Sequence, residues 1–228
     1  MDINKQKLFK GFLPNCFLTL ALLLIVVVWY KNTVLPGSFF GISSNTWFVF
    51  AISIPVVHQF YVWFCWRIEL YYKKISSTLG RQRGFSYYAA GFAILIILRL
   101  LTIIALAISN QKTLSLNPII AAIIGIIFLI PSLYLIYSIA RYFGFRRAFG
   151  IDHFDESYRN APLVKKGIFR FSNNAMYIYG FLLLWVPGLF LLSSAALVAA
   201  LFNHLYIWVH YYCTELPDMR FIYGEGKK

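Results

Sequence analysis

Six stretches of this chain, at roughly 11–30, 47–66, 88–109, 118–140, 176–192 and 195–212, consist almost wholly of apolar and aromatic residues. A helix needs about 20 residues to cross the roughly 30 Å hydrocarbon core of a bilayer. The first four stretches meet or approach that length, and the last two are short and fused. A single helix over 176–212 would be about 55 Å long at 1.5 Å per residue, too long for one bilayer. A hairpin turn is therefore expected near Pro187-Gly188 or Ser193-Ser194. The predicted fold is all-α: a polytopic membrane protein of about six transmembrane helices that ends in a helical hairpin.

Composition excludes the soluble alternative. The chain is 60% hydrophobic and 13% charged, with a mean hydropathy of +0.68, whereas about a quarter of a soluble domain is charged. A domain of 228 residues cannot bury that much apolar surface, so lipid must serve as solvent. The first span lacks a small-residue cleavage site and is expected to be a retained helix, not a signal peptide. Cys16, Cys65 and Cys213 lie within or at the end of spans, at no metal-binding spacing, and read as reduced packing residues.

The formal net charge of +13 is unevenly placed. All Lys and Arg except Lys31, Lys112 and Arg99 fall on one side of the spans, as do all 8 acids. The positive-inside rule makes that side cytoplasmic, with both termini on it. Bases beside apolar spans find their counter-ions in anionic headgroups, so a membrane lipid and no nucleic acid is the expected partner. Segment 141–175 mixes bases with Phe143, Phe145, Phe149, Phe154, Phe169 and Phe171, a composition suited to lying on the interface. The chain divides into a four-helix transmembrane region, 1–140, and a cytoplasmic linker plus C-terminal hairpin, 141–228. Its compact size points to a bacterial inner membrane.

The chemistry-bearing residues gather in the C-terminal third. The run Leu163-Val164-Lys165-Lys166-Gly167-Ile168-Phe169 leads into Ser172-Asn173-Asn174-Ala175-Met176-Tyr177-Ile178-Tyr179-Gly180. After the apolar hairpin come His204, Tyr211, Thr214-Glu215-Leu216-Pro217 and Tyr223-Gly224. Over roughly 150–224 this resembles the isoprenylcysteine carboxyl methyltransferase and phospholipid (phosphatidylethanolamine) N-methyltransferase superfamily of integral membrane methyltransferases. That superfamily carries a Leu-Val-x-x-Gly-x-Phe lead-in, an Arg-(His/Asn)-Pro-x-Tyr motif that opens a helical hairpin, and a Glu-containing motif at its far end. Asn174, Met176, Tyr177, Gly180 and Glu215 match; Asn173 stands where the family has Arg and Ala175 where it has Pro. The resemblance implies S-adenosylmethionine as methyl donor. Taken with the helix-capping positions of Asn173 and Asn174 and the helical stripe from His204 to Glu215, it gives a cofactor site drawn from Gly167, Phe169, Asn173, Asn174, Met176, Tyr177, Gly180, His204, Tyr211 and Glu215, with Glu215 and His204 as the catalytic candidates.

Methyl transfer from a sulfonium is an in-line displacement, requiring a cofactor pocket, an oriented nucleophile and an acceptor for the nucleophile's proton. No Gly-rich dinucleotide turn occurs in the chain, so helix ends and the linker must build the pocket. The start of the fifth span offers free N–H groups and a positive dipole suited to a carboxylate. Asn173 and Asn174 sit where they would cap that helix, and capping alone explains them equally well. In a continuous α-helix His204, Trp208, Tyr211 and Glu215 fall within about 40° of one stripe. A His and a Glu so aligned could hold ribose hydroxyls or accept a proton, although a salt bridge from Glu215 to the linker's bases is the alternative. His210 lies off the stripe and reads as interfacial.

Arg99, in the middle of the third span, costs roughly 3 kcal/mol on insertion scales and must face the bundle or a wet cavity. It is a candidate for holding a substrate phosphate or the cofactor's carboxylate, or else for a structural pairing. His58 reads as a packing residue. His153, Asp155 and Glu156 could supply an acceptor-side base, with a solvated loop as the alternative. No His/Cys spacing implies a metal. The expected activity is S-adenosylmethionine-dependent transfer to a lipid or apolar acceptor, with a phospholipid amine first and an isoprenyl-type or small thiol or carboxylate next. An NADPH-dependent reductase of the membrane sterol-reductase type and a non-enzymatic scaffold or transporter are the rivals.

Overall fold

The computed structural model describes residues 8–160 and 162–224. Asp2, Lys5, Lys7, Glu225, Lys227 and Lys228, which contribute to the charge asymmetry, lie outside the described residues. Among the described residues, four helices are long and apolar enough to cross a bilayer: α1 (Phe12–Lys31), α2 (Ser44–Tyr72), α4 (Arg81–Ser109) and α5 (Pro118–Ser138, continued by a π turn Ile139–Phe143). A short helix α3 (Lys74–Leu79) joins α2 to α4, and α6 (Phe145–Ala148) follows α5. The C-terminal hairpin comprises α7 (Ala175–Gly180), a 3₁₀ turn Phe181–Leu184, α8 (Val186–Phe190) and α9 (Ser194–His210). A π turn Tyr211–Glu215 then leads into α10 (Leu216–Tyr223). The only strands among the described residues, β1 (Ser38–Phe39) and β2 (Ile42–Ser43), form a two-residue hairpin.

The fifth span, expected as one helix over 176–192, is broken. Pro187 has no N–H to give the preceding turn and its ring crowds the carbonyl four residues back, so α-geometry yields to 3₁₀ before it. The hairpin turn falls at Leu191–Ser193, where Leu192 adopts φ +53°. Asn110 and Thr113 pin it. Asn110 Oδ1 accepts from Ser193 Oγ at 3.2 Å and from the Ala195 N–H at 3.3 Å, while the Thr113 N–H donates to the Leu192 carbonyl at 2.9 Å. Asn110 Nδ2 also reaches the Pro36 carbonyl at 3.3 Å, so the loops after α1, after α4 and after α8 meet at one end. Lys31 and Lys112 belong to that end, and segment 141–175 to the other.

α9 is the axle of the bundle. Ala195, Ala196, Ala199 and Ala200 are fully buried, and their small side chains let α2 and α4 approach closely. Phe48, Ala51 and Ile52 of α2 and Ile103, Leu106 and Ala107 of α4 complete this core. Outward-facing Leu13, Phe17, Ile25, Ile119, Ile127 and Ile130 are 58–78% exposed, the surface a lipid-solvated bundle presents. A second cluster at the basic end joins Val62, Cys65 and Trp66 of α2 to Phe85 and Tyr88 of α4 and to Ile151 and Phe154 of the linker.

The end of α2 corrects the expected boundary near residue 66. The helix runs to Tyr72, about 44 Å in all at 1.5 Å per residue. Arg67 and Glu69 therefore lie on it and are wholly buried rather than forming part of an exposed linker. Glu69 Oε2 accepts the N–H groups of Ile75 and Ser76, both at 3.0 Å, and so caps α3. Arg99 faces the bundle. Its Nε donates to Asn203 Oδ1 at 3.0 Å, its Nη1 stands 3.4 Å from His58 Nδ1, and its guanidinium lies 5.2 Å from the Phe181 ring centroid.

Candidate functional site

The lead-in Val164 to Phe171 docks on the end of α5. Gly167 adopts φ +59°, where a side chain is strained, and a Cβ there would stand 2.5 Å from Ser138 Oγ. That contact lets the Ile168 N–H donate to Ser138 Oγ at 3.1 Å. Phe169 is buried and stacks on Phe143 with centroids 4.9 Å apart. Met176 packs on the same cluster, and Gly180 approaches Leu135 of α5. Gly167, Phe169, Met176 and Gly180 thus act together to hold the linker and the start of the hairpin against α5.

The expected capping does not occur. Asn174 occupies the N-cap position of α7 but its side chain accepts no backbone N–H there, and Asn173 is exposed. The Asn174 N–H donates to Ser172 Oγ at 3.0 Å instead. α7 is only six residues long, too short to sum a useful dipole, so the helix start is a weak seat for a carboxylate. The Asn side chains are left to solvent or a ligand.

The start of α7 and the end of α9 meet through aromatic rings. Tyr177 lies 6.0 Å from Trp208 and 5.4 Å from Tyr211, centroid to centroid, and Trp208 and Tyr211 meet edge to face at 5.6 Å. Tyr212 closes the group, 5.0 Å from Tyr211. These rings present quadrupole-negative faces that attract cations. Glu215 follows, half-buried, at the end of the π turn. A π turn advances the chain by less rotation per residue than an α turn, so Glu215 leaves the straight stripe of His204, Trp208 and Tyr211.

His204 is turned toward α8. Trp185 Nε1 donates to His204 Nδ1 at 3.2 Å, so Nδ1 carries a lone pair and the neutral ring holds its proton on Nε2. In this arrangement His204 is a donor through Nε2, which of its two expected uses suits holding a hydroxyl better than accepting a proton. His210, expected at the interface, is buried, with its ring 5.6 Å from Trp66.

The largest feature missed in the sequence is a buried ionic group behind Glu215. Arg67 Nε stands 3.0 Å from Asp218 Oδ1, with both side chains fully buried. Arg67 Nη2 donates to the Thr214 carbonyl at 3.4 Å. His153 Nε2 faces Asp218 Oδ2 at 3.5 Å, and Trp66 stacks on the His153 ring at 4.0 Å and 17°. His153 is therefore enclosed, not part of a solvated loop or open to a substrate. Asp155, half-buried, accepts from the Ser157 N–H and hydroxyl and stands 3.4 Å from Arg81 Nη1, while Glu156 is exposed and pairs with Lys73 and Arg159. The Ser157 N–H, with Arg81 nearby, holds the Asp155 carboxyl below the usual carboxylate range. Tyr223 donates to Asp152 Oδ2 and ties the end of α10 to the linker. Burial, with that carboxylate behind it, pushes the Tyr223 hydroxyl up to about 12.

The fold and these helix ends define an all-α polytopic membrane protein, whose short C-terminal hairpin brings an aromatic cluster and a half-buried carboxylate to its basic end. Residues 120–226, just under half of the chain, match the family model of phospholipid methyltransferases. The match is consistent with the isoprenylcysteine/phospholipid methyltransferase superfamily that the motif residues resemble. It is a methyltransferase family, which supports an enzyme acting on a lipid-related substrate. Comparisons with curated proteins and with solved structures gave no match.

Proposed function

We propose that this protein transfers methyl groups from S-adenosylmethionine to the amine of a phospholipid headgroup at the cytoplasmic face, using a site at the joint of α7 with the end of α9. One observation carries the proposal. The segment matching the phospholipid methyltransferase family, 120–226, contains both sides of the joint where Tyr177, Trp208 and Tyr211 meet and after which Glu215 follows. A sulfonium is a soft cation, and ring faces together with a nearby carboxylate are the groups that attract one. The residues present fit the donor in that respect.

When bound, the donor supplies an electrophilic methyl whose bond to sulfur breaks as the bond to nitrogen forms. The chain's own residues orient, shield and take the proton. Tyr177, Trp208 and Tyr211 would line the cationic centre and keep water from it. Glu215 would hold a polar part of the donor or receive the proton that the acceptor amine sheds. His204, with Nδ1 occupied by Trp185, would donate through Nε2 to a hydroxyl. Asn173 and Asn174, with side chains uncommitted to capping, would complete the polar rim. Gly167, Phe169, Met176 and Gly180 fix the floor. The acceptor would enter sideways from the lipid, past the basic and aromatic linker 141–175, consistent with both termini lying in the cytoplasm.

Titration of the detergent-solubilised protein with S-adenosylhomocysteine by calorimetry tests the site, with NADPH as the control for a reductase. Saturable binding of the former, weakened by Glu215→Gln and by Tyr211→Leu, is expected. Binding of NADPH alone would refute the proposal.

A further inference from the structure

We propose that Arg67 is a positioning residue for Glu215: its guanidinium holds the π turn just before that carboxylate and α10 just after it, and so fixes where it points. The inference rests on the methyl-transfer site proposed above. Arg67 touches the Thr214 carbonyl, one residue before Glu215, at 3.4 Å and the Asp218 carboxylate, three residues after it, at 3.0 Å. The rigid guanidinium spans both at once, a hydrogen bond to the Thr214 carbonyl and an ion pair with Asp218, which a compact ammonium on a flexible stem does less well. The segment needs such a brace. Pro217 supplies no N–H to the turn behind it, so the junction from π turn to α10 keeps the Leu216 N–H bond to the Tyr211 carbonyl but loses the next one.

The brace is itself anchored. Arg67 lies on α2 and is wholly buried, as is Asp218. Trp66, its neighbour on α2, stacks on His153, whose Nε2 stands 3.5 Å from the second oxygen of Asp218. Asp218 is thereby held from two elements, and Tyr223 fastens the far end of α10 to Asp152. A buried arginine at the end of a span, hydrogen-bonded to the backbone before one half-buried glutamate and ion-paired with the carboxylate after it, is an orienting device. Losses from small misplacements of catalytic groups are disproportionate: about 1 Å can remove roughly 100-fold of rate.

A double-mutant cycle on the full-length protein reads this out. S-adenosylhomocysteine affinity and labelled-methyl turnover are measured for wild type, Arg67→Lys, Glu215→Gln and the double variant. Expected is a loss of roughly tenfold in affinity or turnover for Arg67→Lys, within the range that misplacement produces. In the Glu215→Gln background the same substitution should add less than about twofold, because the group it orients is gone. If the two losses multiply in the double variant, Arg67 acts only on the fold and the inference is overturned. If Glu215→Gln changes neither quantity, the site itself is wrong and both proposals fall. Should Arg67→Lys not fold, Asp218→Asn replaces it in the same cycle with the same expected outcomes.

Discussion

Replacing Gly167 by Ala separates the docking of the linker from every other contribution. At φ +59° an alanine is strained, at about 1–3 kcal/mol. Its methyl would also meet Ser138 Oγ at 2.5 Å, Tyr142 Cδ2 at 2.9 Å and Ser138 Cβ at 3.0 Å. Ser138 Cβ is fixed by the α5 backbone and cannot rotate away, and the Tyr142 ring is bulky, so overpacking adds about 1–3 kcal/mol more. The combined loss is about 2–6 kcal/mol, and at roughly 2–4 °C per kcal/mol for a chain of this size the unfolding midpoint falls by at least about 4 °C. Gly41→Ala is the control, because Gly41 has φ +73° and nothing within 4 Å of the added methyl. It should show the strain alone, about 1–3 kcal/mol. Thermal unfolding in detergent, followed by circular dichroism, gives both numbers. A midpoint for Gly167→Ala no lower than that for Gly41→Ala would refute the packing account of the lead-in.

Asn110→Ala removes the acceptor that Ser193, Ala195 and Thr113 share, and should lower stability by about 2–3 kcal/mol; an unchanged midpoint would show that the far-end loops do not depend on it. Asn203→Ala leaves Arg99 Nε without its 3.0 Å partner inside the bundle, a loss of about 1.5–3 kcal/mol for a bond to a charged group, measured by the same melt. Tyr223 holds its proton more tightly folded, at about 12, than unfolded, at about 10. Its contribution is therefore fully present below about pH 10 and is lost as pH rises toward about 12. The stability difference between wild type and Tyr223→Phe should shrink across that window, and a difference constant with pH would contradict the assignment.

The spans, the hairpin and the apolar exterior were legible because lipid imposes a length and a polarity that few residues can disguise. Arg67 and Glu69 misled the placement of the α2 end. In sequence they look like interfacial charges, since their partners, Asp218 and the α3 amides, are supplied by tertiary contact or by a turn not yet defined. Pro187 announced a break in the fifth span, but the position of the turn depended on Asn110 and Thr113 from a different loop. The candidate site was legible in its residue types and only in part in its geometry. Tyr177, Trp208 and Tyr211 meet as helix ends should, whereas Glu215 leaves the stripe because the chain winds as a π turn at 211–215. The Asn pair kept its position at the start of α7 without capping it. His153 looked like a loop base because nothing local reveals the Trp66 ring that covers it.

The central claim is that the joint of α7 and α9 binds a methyl donor and delivers its methyl group to a lipid amine. Its most direct test is to incubate purified protein in phosphatidylethanolamine vesicles with methyl-labelled S-adenosylmethionine and follow label in extracted lipid by mass spectrometry. The account predicts N-methylated headgroups with wild type and a large loss with Glu215→Gln. Vesicle lipids that stay unlabelled while wild type binds the donor would contradict the assignment of the acceptor, and equal labelling by Glu215→Gln would contradict the site.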